Sequence, residues 1–136
     1  MRMGLRLVVA AGLIVAASVS RSATLVIRAE GVEPGGMVYA GVCDRSFEEA
    51  TCPYKDREPA RAGIVEFTLR NVKPGTYAVA VFHDLNGNAR LDRNFIGLPS
   101  EPYGFSNDVG RRGPPNFEGA LITVKEPSTT VRVTIR

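Results

Sequence analysis

The chain has 136 residues, with 17 Lys and Arg against 14 Asp and Glu and a formal net charge of +3. This length suits one domain with a two-layer core. The only adjacent basic pair is Arg111-Arg112, and no longer Lys/Arg block occurs. Charge therefore argues against a nucleic-acid-binding function.

The N-terminus has the three-part pattern of a secretory signal peptide. Arg2 and Arg6 form a positive region, and residues 7–17 are an apolar run broken only by Gly12. Small residues follow this run. Because the run is too short to span a bilayer comfortably, the pattern predicts cleavage and no stable membrane insertion of the mature chain.

Signal cleavage is predicted after Ser20, with residues 18–23 as the window for the cut. It leaves residues 21–136 as one domain and lowers the formal charge to +1, because two arginines are removed. The mature protein is predicted to be periplasmic or secreted by a bacterium.

The two cysteines, Cys43 and Cys52, stand nine positions apart. In an oxidising compartment a disulfide is the default for such a pair. Closing a loop this short stabilises the fold by about 2–3 kcal/mol on the chain-entropy model. The C-x8-C spacing is neither a zinc-ligand nor a CxxC redox spacing, so a structural bridge is predicted.

Six segments have the residue pattern of β-strands, and Gly- and Pro-containing turns separate them. Only residues 45–50 have the pattern of a helical turn. Short strands without crossover helices predict an all-β fold, an antiparallel β-sandwich or Greek key. The nearly all-apolar second segment predicts burial on both faces, and the apolar fourth segment predicts a central strand. The six segments are Leu25–Glu30, Met37–Cys43, Val65–Arg70, Tyr77–Phe82, Ala120–Val124 and Val131–Arg136.

Residues 84–117 interrupt this strand pattern with 34 residues that have neither strand nor helix periodicity. Loops longer than about 12–15 residues are usually functional or disordered. Because four of the ten aromatic residues lie in this segment, we expect an ordered excursion that packs back on the sandwich. These four are Phe95, Tyr103, Phe105 and Phe117.

The long loop opens with oxygen-bearing side chains at alternate positions. Asp84, Asn86 and Asn88 align with positions 1, 3 and 5 of an EF-hand-type loop. The carbonyl of Arg90 aligns with position 7 and Asp92 with position 9. These hard oxygen ligands favour Ca²⁺ over transition metals, so a calcium loop is predicted.

The calcium pattern is incomplete in two places. Ala89 stands where the sharp-turn Gly is expected, and Phe95 stands where a bidentate Glu is expected. With few carboxylates the expected affinity is weak, about 10⁻⁴–10⁻³ M in Kd. Four further residues are candidates for extra ligands or for ordering the loop, namely His83, Asn94, Glu101 and Asp108.

Two alternative interpretations of these residues stay open. The Asp and Asn side chains of the loop are also suited to capping their own backbone as metal-free Asx-turns. The aromatic residues Tyr103 and Phe105 are suited either to a recognition surface for a glycan or peptide or to core packing.

The turn at residues 71–79 resembles the Pro-Gly-Tyr hairpin of prealbumin-like sandwiches, such as carboxypeptidase regulatory modules. This resemblance, with the strand pattern, implies an immunoglobulin-like or prealbumin-like Greek key.

The chain is also similar, over nearly all of its mature length, to the bacterial exported family known as domain of unknown function 2141. Members of that family usually have the sequence D-x-N-G-N-G-x-x-D in the oxygen-rich run, and Ala89 departs from this pattern. The resemblance implies an exported β-sandwich and supplies no activity. It rests on residues 73–88, 91–94, 97–107 and 115–117.

Three classes of function remain. The first is a non-catalytic exported sandwich with a weak Ca²⁺ loop and a recognition surface for an envelope protein or glycan. The second is a metal-free structural or envelope-interaction domain. The third is a small hydrolase using His83 with Asp84 or Glu101. Because no nucleophile and base stand at a recognisable spacing, no enzyme is predicted.

Overall fold

The computed structural model describes residues 4, 7–17, 19–90 and 100–136. Within them the chain forms eight β-strands in two sheets. The strands are β1 (Ala23–Val32), β2 (Met37–Cys43), β3 (Tyr54–Pro59), β4 (Gly63–Val72), β5 (Gly75–Asp84), β6 (Tyr103–Phe105), β7 (Leu121–Val124) and β8 (Ser128–Thr134). Short 3-10 turns lie at Glu49–Thr51, Ser106–Asp108 and Glu118–Ala120.

The first sheet has the strand order β4-β1-β8, and the second has the order β3-β2-β5-β6. Strand β7 also pairs with β5, beside the N-terminal half of that strand. Strand β5 is therefore central, as its apolar sequence predicted. The predicted all-β sandwich is confirmed, and each of the six predicted segments overlaps a strand.

One pairing differs from a wholly antiparallel arrangement. Strand β8 runs parallel to β1, with Ile27 opposite Val131. The chain reaches β8 from the second sheet through the short turn at residues 125–127, so it enters the first sheet alongside β1 in the same direction.

Two strands were not predicted. Strand β3 has the sequence YKDREP, whose charged residues mark an edge strand with little apolar content. Strand β6 has only three residues, one of them Gly104, too few for a periodic pattern. Strand β6 therefore lies within residues 84–117, where the sequence has no strand periodicity.

The core lies between the two sheets and is built by alternation along each strand. Leu25 and Ile27 of β1 lie beside Phe67 of β4 on the inner face of the first sheet, and all three are fully buried. From the second sheet Val79 and Val81 complete the contact. Burying each such side chain is worth about 1.5–3 kcal/mol, so this apolar layer supplies the main stabilisation.

Tyrosine hydroxyls fix the hairpin that leads into β5. The Tyr77 hydroxyl donates to the carbonyl of Lys73 at 2.6 Å, and the Lys73 N–H donates to the Tyr54 hydroxyl at 2.9 Å. Burial, with the hydrogen bond to Tyr54, raises the pKa of Tyr77 to about 12. The Tyr77 hydroxyl therefore keeps its proton and continues to donate at neutral pH.

Strand β6 connects the two sheets. It pairs with β5 on one side, and Tyr103 exchanges two backbone hydrogen bonds of 3.1 Å with Arg136 on the other. The Ser106 hydroxyl then donates to the Ala120 carbonyl and accepts from the Val79 N–H at 2.9 Å. These contacts fix the position where the long loop returns to the sandwich.

The predicted disulfide joins Cys43 to Cys52, with an S–S distance of 2.00 Å. At the N-terminus the apolar residues of the predicted signal peptide stay exposed, for example Leu13 at 90% and Ile14 at 93%. Among the described residues, none of the helices has the length and apolar content needed to cross a membrane.

Candidate functional site

The oxygen-rich loop begins at Asp84, the last residue of β5, whose side chain is fully buried. Its Oδ1 accepts a hydrogen bond from the Gly87 N–H at 3.0 Å, and its Oδ2 accepts one from the Ala89 N–H at 2.7 Å. Within the described part of the chain no cationic side chain forms an ion pair with it. Buried charges are normally paired or bound to a metal, so this carboxylate suits a cation.

Asn86 and Asn88 continue the same alternation. The Oδ1 of Asn86 accepts from the Asn88 N–H at 3.1 Å, and the Oδ1 of Asn88 accepts from the Arg90 N–H at 2.9 Å. These contacts match the Asx-turns that the sequence suggested. An amide or carboxylate oxygen has more than one lone pair, so an oxygen of this kind is able to accept from a backbone N–H and also to bind an ion.

Between Asp84 and Arg90, where the described part of the oxygen-rich loop ends, two residues have left-handed backbone conformations, Gly87 with φ +75° and Ala89 with φ +60°. Ala89 is the position where the sequence pattern called for Gly. For a residue with a Cβ this conformation costs about 1–2 kcal/mol.

We expect Ala89→Gly to raise the free energy of unfolding by about 0.5–1 kcal/mol, because relief of strain exceeds the added entropy of the unfolded chain. Urea unfolding measures the change. The matched control is Ala62→Gly, at an exposed position without a left-handed backbone, which should lose stability. Equal losses in the two variants would contradict the strain at Ala89.

His83 anchors the loop from the core side. Its ring is fully buried, and its Nε2 donates to the carbonyl of Gly35 in the β1–β2 turn. Its backbone N–H donates to the carbonyl of Pro102 at 2.8 Å. Within the described residues the buried Nδ1 has no partner. His83 therefore ties three chain segments together at the start of the loop.

The neighbouring Gly36 touches the end of β5 directly. A Cβ placed on Gly36 would lie 2.1 Å from the carbonyl oxygen of Asp84. The turn between β1 and β2 therefore packs backbone against backbone on the residue that opens the loop.

Glu101 approaches the same loop from its far end. Its side chain is 6% exposed, and its Oε1 accepts from the Leu85 N–H at 3.1 Å. The structure thus brings the Glu101 side chain to Leu85, the residue that follows Asp84.

The other candidate ligands do not all lie near Asp84. Asp92 and Asn94 lie outside the described residues. Asp108 follows β6 in the direction away from Asp84 and forms an ion pair with Arg111. Among the described residues no cluster of three or more His, Cys, Asp or Glu side chains is arranged to hold a metal ion.

A groove on the outer face of the second sheet was not predicted from the sequence. Gly41 and Ala80 are register partners and form its floor. On one side Tyr39 and Phe82 stack with ring centroids 5.1 Å apart and planes inclined by 8°. We call this the outer-face groove, and its main lining residues are Tyr39, Gly41, Phe47, Ala80, Phe82 and Phe105.

The opposite side of the groove is built by the long loop and the disulfide loop. The ring of Phe105 lies 4.6 Å from that of Phe47, which lies 5.3 Å from Phe117. Tyr103 contacts the edge of Phe105 at 5.7 Å. Tyr103 and Phe105 are both half-buried on this face.

The groove and the oxygen-rich loop are adjacent. Ala89 and Arg90, at the end of the described part of the loop, also line the groove. Exposed Arg57 and Lys55 lie on β3 opposite Tyr39 and Gly41. The sequence signal for the groove was the apolar residues at the outer-face positions of β2 and β5. The β2 segment was interpreted as buried on both faces, and the β5 segment as a central strand.

The family model described as "Uncharacterized protein conserved in bacteria (DUF2141)" matches residues 27–132. This span runs from the middle of β1 into β8 and includes the loop and the groove. No curated protein and no solved structure matches the chain.

Proposed function

We propose that this chain, which belongs to the family of uncharacterized proteins conserved in bacteria (DUF2141), is an exported, non-catalytic binding protein. In this proposal the loop that begins at Asp84 binds Ca²⁺ weakly, and the adjacent outer-face groove binds a ligand. The observation that carries the calcium site is the fully buried Asp84 carboxylate, which has two backbone N–H partners and no cationic partner among the described residues.

The ligands for the ion would come from the oxygens of Asp84, Asn86 and Asn88, the Arg90 carbonyl and Asp92. Hard oxygen donors of this kind suit Ca²⁺, whose coordination is flexible in number and geometry. An ion held there would neutralise the buried carboxylate and stiffen the loop. Because Ala89 and Arg90 line the groove, stiffening the loop would also fix one edge of the groove.

Export is supported by the N-terminal pattern and by the exposed apolar run at residues 7–17, which is suited to recognition by a secretion machinery. A non-catalytic role is supported by His83. Its ring is completely buried and bonded to a backbone carbonyl, which is a structural position rather than one that reaches a substrate.

The alternative is a metal-free structural or envelope-interaction domain. The observation in its favour is the set of Asx-turn hydrogen bonds from Asp84, Asn86 and Asn88, which order the loop without an ion.

Thermal unfolding in 5 mM Ca²⁺ and in EDTA distinguishes the two. A Kd of about 10⁻⁴–10⁻³ M gives about 1–2 kcal/mol of stabilisation at this concentration, which raises Tm by about 4–8 °C. Asp84→Asn should remove the Ca²⁺-dependent shift, whereas Asp108→Asn should retain it, because Asp108 is paired with Arg111 elsewhere. Equal Tm values in Ca²⁺ and EDTA for the unmodified protein would contradict the calcium site and leave the metal-free domain.

A further inference from the structure

The size of the outer-face groove restricts what it can hold. Its volume is about 770 Å³, within the range of about 300–1,000 Å³ that is typical of small-molecule sites. It is open along the sheet surface, so a ligand would lie flat across β2 and β5 instead of being enclosed.

The floor and walls favour a flat, apolar body. Gly41 and Ala80 leave a strip with almost no side-chain bulk, and aromatic rings border it. Tyr39 and Phe82 lie along one side of this strip, and Phe105, the register partner of Ala80, closes one end. Aromatic rings prefer offset-stacked or edge-to-face contact with other flat groups, so a ring system fits against these rings.

Charge at the rim favours an anion. Arg57 and Arg90 line the groove, and in the described part of the chain neither takes part in an ion pair. Lys55 also lines it and pairs with Glu49 at 3.0 Å. Asp56 is the remaining acidic lining residue, and its Oδ1 accepts from the backbone N–H of Arg57. Among the described lining residues there are therefore three cationic against two anionic side chains, and the two cations without an ion pair there are both arginines.

We infer that the outer-face groove binds an amphipathic organic anion of small-molecule size, a flat apolar body carrying a carboxylate, sulfonate or phosphate group. The inference rests on the proposed binding function and names the class of its ligand. The apolar body lies over Gly41 and Ala80, and the anion meets Arg57, which the register places beside Tyr39. Arginine is suited to this contact because its planar fork of donors matches the oxygens of such anions.

A pair of fluorescent probes tests both parts of the inference. The anionic probe is 8-anilinonaphthalene-1-sulfonate, and the neutral comparator is N-phenyl-1-naphthylamine, which has the same ring systems without the sulfonate. We expect saturable binding of one anionic probe per chain, and binding of the neutral comparator at least about 10-fold weaker, because the charged hydrogen bond is lost.

Two variants locate the probe. Gly41→Leu fills the floor, and its Cβ meets only ordinary contacts of 3.9 Å from Cys43 and Cys52, so the fold should be retained. We expect it to weaken binding of the anionic probe at least about 10-fold, and Arg57→Gln to weaken it about 5–10-fold. The matched controls, Thr68→Leu and Arg70→Gln on the exposed face of the first sheet, should stay within about 2-fold.

Circular dichroism and thermal melts of each variant confirm that the fold is retained. Unchanged binding of the anionic probe to Gly41→Leu would contradict the groove as the binding site. Equal affinity for the anionic and neutral probes would contradict the requirement for an anionic group in the ligand. Displacement of the anionic probe by a neutral oligosaccharide at lower concentration than by aromatic carboxylates would overturn the ligand class. None of these outcomes depends on the Ca²⁺ shift, so the failure of either proposal is recognisable separately.

Discussion

Gly36→Ala lowers the free energy of unfolding by at least about 3 kcal/mol, because two unfavourable terms combine at this position. The backbone of Gly36 has φ +71°, where a Cβ is strained, and the Cβ would lie 2.1 Å from the Asp84 carbonyl oxygen. The backbone at Gly36 cannot easily move away from Asp84, because the Gly36 carbonyl accepts a hydrogen bond from the Ala60 N–H at 3.1 Å. Urea unfolding measures the loss.

Gly35→Ala is the matched control for this prediction. Gly35 has φ +104° but no heavy atom within 4 Å of its Cβ position, so it carries the strain without the clash. We expect a loss of about 1–2 kcal/mol there. If the two alanine variants lost the same stability, close packing of the β1–β2 turn on Asp84 would be contradicted. Because Gly36 touches Asp84, Gly36→Ala should also reduce the Ca²⁺-dependent rise in Tm.

Gly104→Ala has a comparable effect for a different reason. Its backbone is not left-handed, but a Cβ would lie 2.2 Å from the Thr134 carbonyl oxygen and 3.1 Å from Val133 Cγ1. Gly104 is held between β5, where it pairs with Val81, and the end of β8. Relief therefore requires β6 to separate from one sheet. We expect a loss of about 3 kcal/mol and a fall in Tm of about 12 °C.

Gly113→Ala controls for the change of residue type, because no atom lies within 4 Å of its Cβ position and its φ is not left-handed. It should stay within about 0.5 kcal/mol of the unmodified protein. A stable Gly104→Ala variant would show that β6 does not bridge the sheets as described. Because Phe105 follows Gly104, displacement of β6 should also weaken binding of the anionic probe.

Much of the fold could be predicted from the sequence, because alternation of buried and exposed residues is a local property of a strand. Leu25, Ile27 and Ala29 give this signal in β1, and all three are completely buried. The edge strand β3 gives a weak signal because its outer residues are charged. Strand β6 gives none, since what holds it is pairing with Val81 and Arg136, residues far away in the chain.

The candidate loop was predicted from spacing, and the groove was not predicted. Spacing is informative for Asp84, Asn86 and Asn88 because each contacts backbone within five positions. The groove depends on which face of β2 and β5 is covered. The apolar segment with Tyr39 indicated burial on both faces, and the segment with Phe82 indicated a central strand. No element in the described part of the chain covers the outer face, and these two rings stay half-exposed. Their exposure became visible only with the sheet order.

Residue-resolved NMR titration tests most directly the proposal that this protein has two binding sites, the oxygen-rich loop and the outer-face groove. The backbone amides of Gly87 and Ala89 report on the loop, because both donate to the Asp84 carboxylate. The amides of Gly41 and Ala80 report on the floor of the groove. We expect millimolar Ca²⁺ to shift the first pair and 8-anilinonaphthalene-1-sulfonate to shift the second. Spectra in which neither pair moves while the protein stays folded would contradict a binding function for this face of the molecule.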